Sequence, residues 1–357
     1  MDPSRLKVGL IGCGRMGRIY AEAFHTYPDC ELVAIADAHA ERRAEVGARF
    51  GVTALFPDAA AMLATVVPDL VSVVTPTRYI PPAVLACAAA GVRGIAAEKP
   101  ILARLVDGDA MRAACRQHHV VFAGGNLQRA MPEVQEASGW IREGRLGPLE
   151  GACLRLGRET SGGGVQGLSI LRLFAGAEVT RVLGWVDPPE AADNELDTCH
   201  VHGWLELSNG LRCLVVPETE GQRGLEIWGP DGLIRWNWGP PELFLGRDAA
   251  GKRIRRETTY RPYDYSEFGY LTGSLRSTIG ALQSTATPPR LAISGEDLCI
   301  AVEIALALKV SARLGNVPVE LPLADRSLAL YPVPYRWLGG DATAYHYPDV
   351  AGRPLDP

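Results

Sequence analysis

Over the first 125 residues, apolar positions fall in short continuous runs separated by stretches with helical spacing. "LKVGLIGCG", "ELVAIAD", "PDLVSVVTPT" and "GVRGIAAEKP" are such runs, and their composition predicts strands buried on both faces. Ile19, Ala23 and Phe24, and then the stretch from Pro81 to Ala90, carry the helical spacing between them. Strand, helix, strand in this order predicts a doubly wound parallel sheet, an α/β architecture. After Gly147 the pattern changes to "LEGACLRLG", "TRVLGWVD", "TCHVHGWLELSNG", "LRCLVVPE", "GLEIWGPDG" and "LIRWNWG", closed by Gly, Pro or Asn turns. These runs predict an open, mainly antiparallel sheet, with "SNG" as a hairpin turn, one face under helices and the other available for subunit pairing.

The turn after the first strand contains Gly12, Gly14 and Gly17, spaced G-x-G-x-x-G, at the entry to a helix that begins with Arg15 and Met16. Glycines at this spacing permit a tight turn, close approach of a pyrophosphate and close helix-to-strand packing, with the helix N-terminus facing the phosphates. The second strand ends in Asp37, about 20 residues further on, where an acid accepts from ribose hydroxyls. The combination predicts a dinucleotide site. The carboxylate favours NAD over NADP, since it would repel an extra phosphate; His39 and Arg42 keep NADP open. We therefore expect residues 1–124 to form a dinucleotide-binding Rossmann domain. Residues 125–357 would form an α+β domain for substrate binding and oligomerisation, with the C-terminal tail packing back on the first.

Ligands of such sheets lie beyond the carboxyl ends of the strands, which places Thr75, Pro76, Glu98, Lys99 and Pro100 beside the nicotinamide half of the crevice. Lys99 there can donate to a substrate oxygen and stabilise the charge that develops during hydride transfer. Its other reading is an exposed lysine paired with Glu98. A cis bond at Pro100, which would turn the chain sharply, favours the catalytic one.

Composition narrows the function classes. A net charge of −5 over 357 residues gives no electrostatic reason to expect nucleic acid or an anionic membrane as partner. The basic stretch from Lys252 to Arg256 reads as a solvated hairpin. Eight cysteines lie scattered without a C-x-x-C pair, as reduced core residues of a cytoplasmic protein do. The N-terminus shows no secretion signal and the chain no membrane span.

"GLIGCGRMG", "AIAD", "VVTPT" and "AAEKPI", in this order, resemble the Gfo/Idh/MocA oxidoreductases. The likeness continues through "GGNLQRAMPEVQEASGWIREGRLGPLEGACLRLG" to "SGEDLCIAVEIALALKVSARLG" and "VPVELPL". It implies a nicotinamide-dependent enzyme acting on a small molecule, a sugar, cyclitol or glycoside, and assembled as a homodimer or homotetramer. It places Arg129 at the family's arginine, with Asn126 beside it. In many relatives the lysine of E-K-P and an Asp and His from D-x-G-x-H-x-x-D assist proton transfer. Aligning "RLFAG" with the family's R-W-L-x-G puts Gly162, Gly164, Gln166 and Ser169 where that motif has Asp, Gly, His and Asp. Gln166 does not titrate and cannot be an acid or base. Gly164, Gln166 and Ser169 are then expected to line the substrate side, with Gln166 and Ser169 orienting the ligand and proton transfer left to Lys99 or another group. Ile80, where many relatives have histidine, is a second departure. A regulatory ligand sensor without turnover, or a glycoside-cleaving enzyme that recycles its NAD, are the alternatives.

Further candidates stay open. His200 and His202 share a strand face and could begin a metal site, but no third ligand is visible and surface or interface residues are the plainer reading. Asp197 reads as part of the turn entering that strand. Tyr260, Tyr263 or Tyr265 could supply a proton. The aromatic, proline-containing tail is expected to lie extended along a surface, and His346 is unplaced.

Overall fold

The computed structural model describes residues 5–125, 127–220, 222–258, 260, 271–284 and 290–339. The described residues form two compact units. The first takes the chain up to Leu127, the stretch from Leu271 to Cys299, and the segment from Pro334. The second takes Gln128 to Tyr260 and Ile300 to Val333.

The first unit is a six-stranded, all-parallel sheet: β1 (Leu6–Ile11), β2 (Cys30–Ala36), β3 (Leu55–Phe56), β4 (Leu70–Val73), β5 (Gly94–Ala97) and β6 (Val121–Gly124). Its order, β3-β2-β1-β4-β5-β6, is that of a dinucleotide-binding Rossmann sheet. β4 and β5 are buried at every position, as the continuous apolar runs require. Helices α1 (Arg15–Thr26), α2 (Ala40–Phe50), α3 (Ala59–Thr65), α4 (Ile80–Ala89) and α5 (Leu105–Gln117) make the crossovers. The helix Leu271–Gln283 also belongs here: Leu271, Leu275, Ile279 and Leu282 join the cluster of Leu10, Tyr20, Phe24 and Ile35. Sequence order alone assigns this helix to the second domain; its apolar stripe is instead buried in the first core.

The second unit is a nine-stranded sheet in the order β14-β13-β12-β11-β7-β10-β9-β8-β15. Its strands are β7 (Gly151–Leu156), β8 (Val179–Asp187), β9 (His200–Leu207), β10 (Arg212–Pro217), β11 (Gly224–Trp228), β12 (Gly232–Trp236), β13 (Glu242–Arg247), β14 (Arg253–Arg256) and β15 (Val319–Glu320). All its pairings are antiparallel except β7 with β10. That parallel pair was not legible from alternation, which is blind to strand direction. β9 and β10 form the hairpin expected at "SNG", with Gly210 at φ 82°, and the basic stretch is the outer strand of the β13–β14 hairpin. Helices α6 (Pro132–Arg142) and α7 (Val165–Ala175) complete the unit, with the helix Gly295–Arg313 from Ile300 on. Every residue of α7 but Leu173 is buried.

All eight cysteines are free, and seven of them are buried. No helix among the described residues is long and apolar enough to cross a membrane.

Candidate active site

In the first unit the glycine turn is built by exclusion. Gly12 sits at φ +102°, and a Cβ there would lie 2.5 Å from the Val74 carbonyl oxygen. A Cβ on Gly17 would lie 2.0 Å from the Gly12 carbonyl oxygen, so these two positions admit nothing larger. Gly14 differs, because a Cβ there would meet nothing within 4 Å. It is the N-cap of α1 and offers no side-chain hydrogen bond. The first bond of the helix runs from Arg18 N to Gly14 O, so the amides of Arg15, Met16 and Gly17 have no acceptor in the helix. Open space in front of uncapped amides at the positive end of a helix is a phosphate cradle.

Asp37, at the end of β2, is half-buried. Its Oδ2 accepts from Cys13 N at 2.7 Å and its Oδ1 from His39 N at 2.7 Å. The carboxylate thus ties the glycine turn to the second strand and starts the turn into α2. Each oxygen keeps a lone pair for ribose hydroxyls. Thr75 lies just past β4, and its Oγ1 is buried without a hydrogen-bond partner among the described residues, an orphan that a bound group would satisfy. Pro76 starts the 3₁₀ turn Thr77–Tyr79. The cradle, the aspartate and the orphan hydroxyl fit a dinucleotide.

Past β5, Glu98 is buried; it accepts from Tyr20 Oη at 2.7 Å and from the Lys99 backbone N–H at 2.8 Å. Lys99 is half-buried and precedes a cis Pro100. Tyr20, two turns into α1, therefore fixes the carboxylate that fixes the lysine backbone, a chain of contacts that no sequence spacing announces.

In the second unit, a π-helical turn over Thr160–Gly164 leads into α7. Asp197, only 1% exposed, holds the start of this turn. Its carboxylate accepts from Thr160 N (2.9 Å), Thr160 Oγ1 (2.5 Å), Ser161 N (2.6 Å) and Ser161 Oγ (2.6 Å). Burial pushes its pKa up, against the lowering effect of those four bonds. Asp197 lies in the bend before β9, as expected, and from there also anchors the glycine segment 37 positions earlier. Lys309 supports the same loop, its Nζ donating to Asn194 Oδ1 at 3.0 Å and to Leu196 O.

Beside this turn lies a cavity of about 470 Å³. Gly163, Gly164 and Gly167 line one side, with His200, Arg158 and Trp238 among the rest. Neither Gln166 nor Ser169 lines it. Gln166 is 1% exposed, and its Oε1 accepts from Gln128 N at 2.7 Å; Ser169 is fully buried. Arg129 reaches the same helix, with Nη1 donating to Ser169 O at 2.7 Å. The ligand-orienting role expected for Gln166 and Ser169 therefore gives way, in the structure, to packing. α7 turns these side chains toward the 3₁₀ turn Gln128–Ala130 and presents its glycines to the cavity. Asn126 lies outside the described residues, as do Tyr263, Tyr265 and His346. Tyr260 stacks on Trp140 and donates to Pro241 O. His202 stacks on Trp185, and no group of three His, Cys, Asp or Glu among the described residues could hold a metal.

Residues 6–125 match the family model for the GFO_IDH_MocA "Oxidoreductase family, NAD-binding Rossmann fold". Over this unit, about a third of the chain, the sequence is similar to the Gfo/Idh/MocA oxidoreductases. The D-apiose dehydrogenase of Paraburkholderia graminis is 36% identical over 143 residues, covering 40% of this chain and 38% of that protein. The UDP-N-acetylglucosamine 3-dehydrogenase of Acidithiobacillus ferrooxidans is 29% identical over 214 residues, covering 57% of this chain and 64% of that protein. Each match spans less than two thirds of the relative's length. The solved scyllo-inositol dehydrogenase of Lactobacillus casei, with bound NAD(H) and scyllo-inositol, has a TM-score of 0.67 to this chain at 18% identity. That likeness covers 88% of this chain and 99% of the other and speaks to fold alone. The first unit thus has the NAD-binding Rossmann fold that this family model describes.

Proposed function

We propose that the chain is an NAD-dependent dehydrogenase acting on a hydroxyl-bearing carbon of a sugar, cyclitol or related polyol. The observation that carries this reading is the uncapped cradle at Gly14 with Asp37 tied to it, within the stretch that matches an NAD-binding oxidoreductase family. Gly12, Gly14, Arg15, Met16, Gly17 and Asp37 hold the dinucleotide, with Thr75, Pro76 and Glu98 bordering it. When bound, NAD supplies a hydride acceptor. Lys99 donates a hydrogen bond to the reacting oxygen and stabilises its developing charge. In the second unit Gly164 borders the ligand, while Arg129, Gln166 and Ser169 hold α7 in place behind it; Asn126 stands as a substrate contact by the family likeness.

The same reading makes the protein a cytoplasmic homodimer or homotetramer. Its cysteines are unpaired, and strand register puts the half-exposed Trp185 and Leu214 on one sheet face with His202 and Trp204. One observation favours a sensor without turnover: Gln166, in the place of the family's base, is committed to a backbone amide.

The deciding experiment offers D-apiose, myo-inositol and UDP-N-acetylglucosamine to the purified protein with NAD and with NADP, and follows reduced-nicotinamide absorbance. NADH formation with at least one of them is expected. Protein that binds NAD but reduces it with none of the three would favour the sensor.

A further inference from the structure

The carboxylate at the end of β2 does not stand alone. Arg42 and Arg43, in the first turn of α2, follow Asp37 by five and six positions. Arg43 is half-buried, and its Nη1 donates to Asp37 O at 3.0 Å and to Ala38 O at 3.4 Å. The guanidinium therefore hangs from the strand end that carries the acid, and since it has further N–H donors on Nε and Nη2, these are left for another acceptor. Arg42 is exposed and makes no hydrogen bond or ion pair with the described residues. Arg18, on α1, differs from both: it is already paired with Glu45 at 2.8 Å.

An acid at this place repels a phosphate on the neighbouring ribose, so Asp37 by itself favours NAD. The local charge tells a different story. Asp37, Glu41 and Glu45 are matched one for one by Arg18, Arg42 and Arg43. The reach of these guanidiniums is felt at the glycine turn: burial pushes the Cys13 thiol up to about 12 and Asp37 adds to the rise, while Arg18, Arg42 and Arg43 all act against it. Both carboxylate oxygens of Asp37 also accept from backbone N–H groups, those of Cys13 and His39, and such charge-assisted bonds offset part of the negative charge.

We propose that Arg42 and Arg43 clamp the ribose 2′-phosphate of NADP, so that the site takes NADP as well as NAD. This rests on the dinucleotide reading above. A phosphate on the ribose that Asp37 serves comes within reach of a guanidinium hung from Asp37's own carbonyl. Arg43 offers it a planar pair of N–H donors, the geometry that suits two phosphate oxygens at once. Arg42, with no acid to hold it, turns in from solvent to a remaining oxygen. With NAD in the site there is no such phosphate, Arg42 stays in solvent, and Asp37 keeps the ribose hydroxyls.

Isothermal titration calorimetry on the full chain tests this without any turnover. The probes are NAD, NADP, 5′-AMP and adenosine 2′,5′-bisphosphate, offered to the wild type, Arg42→Ala, Arg43→Ala and the control Arg49→Ala. The control removes a charge from the last turn of the same helix, where Arg49 pairs with Glu22 at 3.2 Å. The wild type should bind NADP within about tenfold of NAD, and the bisphosphate tighter than AMP. Arg42→Ala and Arg43→Ala should each weaken NADP and the bisphosphate about tenfold or more, with NAD and AMP within about twofold of the wild type. Arg49→Ala should alter none of the four. Because Arg42 is exposed and partnerless among the described residues, its variant keeps the fold and decides the matter even where Arg43→Ala unfolds. NADP bound more weakly than the stated range, with NAD still bound, overturns the clamp and leaves the dinucleotide reading intact. NADP affinity that Arg42→Ala leaves unchanged, that falls equally with NAD, or that falls as far in Arg49→Ala overturns it as well. A wild type that binds neither nucleotide removes the dinucleotide reading, and the clamp with it.

Discussion

The two glycine-rich turns of this chain look alike in composition and work in different ways. The turn at Gly12–Gly17 is shaped by close backbone packing, of Gly17 on Gly12 and of Gly12 on Val74 at the end of β4, and its side-chain tie, to Asp37, comes from the next strand. The turn at Thr160–Gly164 is shaped from outside. Asp197 holds its start, Gln128 and Arg129 hold the helix that follows, and His200 and Arg158 meet across the space it leaves. A motif whose own glycines and acid stand at fixed offsets can be read from spacing, whereas one held by polar side chains from other strands cannot.

The largest test of that contrast is Asp197→Ala. Four donors lose their acceptor inside the protein, so the variant should lose about 3 kcal/mol or more of unfolding free energy, read from the shift in urea midpoint. NAD affinity of whatever remains folded should be unchanged. A variant as stable as the wild type would mean that the second turn, like the first, is shaped by close backbone packing.

Next in size is Gln166→Leu. It strands the Gln128 amide without its acceptor and should cost about 1–3 kcal/mol, again by denaturant titration, with a KM for any oxidised polyol close to that of the wild type. A large rise in KM at unchanged stability would return Gln166 to the ligand. Smallest in stability is Gly14→Ala, because the added methyl group meets open space; we expect a change within about 0.5 kcal/mol. Its effect should appear in NAD affinity, weakened about tenfold or more by fluorescence titration, since the methyl group occupies the cradle. Unchanged affinity would show that nothing binds close to Gly14.

Much of the first unit was legible for a physical reason. Continuous apolar runs mark strands covered on both faces, and the glycine and aspartate positions obey local geometry. The antiparallel runs and the "SNG" hairpin of the second unit were legible on the same grounds. The helix Leu271–Gln283 was not, because an apolar stripe does not say which core it completes. Asp197 and His200 were visible as residues, but their partners Thr160, Ser161 and Arg158 lie 36 to 42 positions away, across strands that alternation cannot order. The Tyr20–Glu98 contact, 78 positions long, was hidden in the same way. A histidine missing from one helix could be read from the family's motif; that His200 meets Arg158 required the fold.

The placement of Leu271, Leu275, Ile279 and Leu282 in the first core also sets a timetable for synthesis. All six strands of that sheet leave the ribosome before Gly125, yet the helix that seals them follows the nine-stranded unit's first eight strands. At common rates of translation the interval is on the order of ten seconds, during which Leu10, Tyr20 and Phe24 wait for their cover. A chain stopped before Leu271 therefore carries the whole nucleotide motif on an unfinished core, and should be recovered as aggregate, not as a small NAD-binding protein.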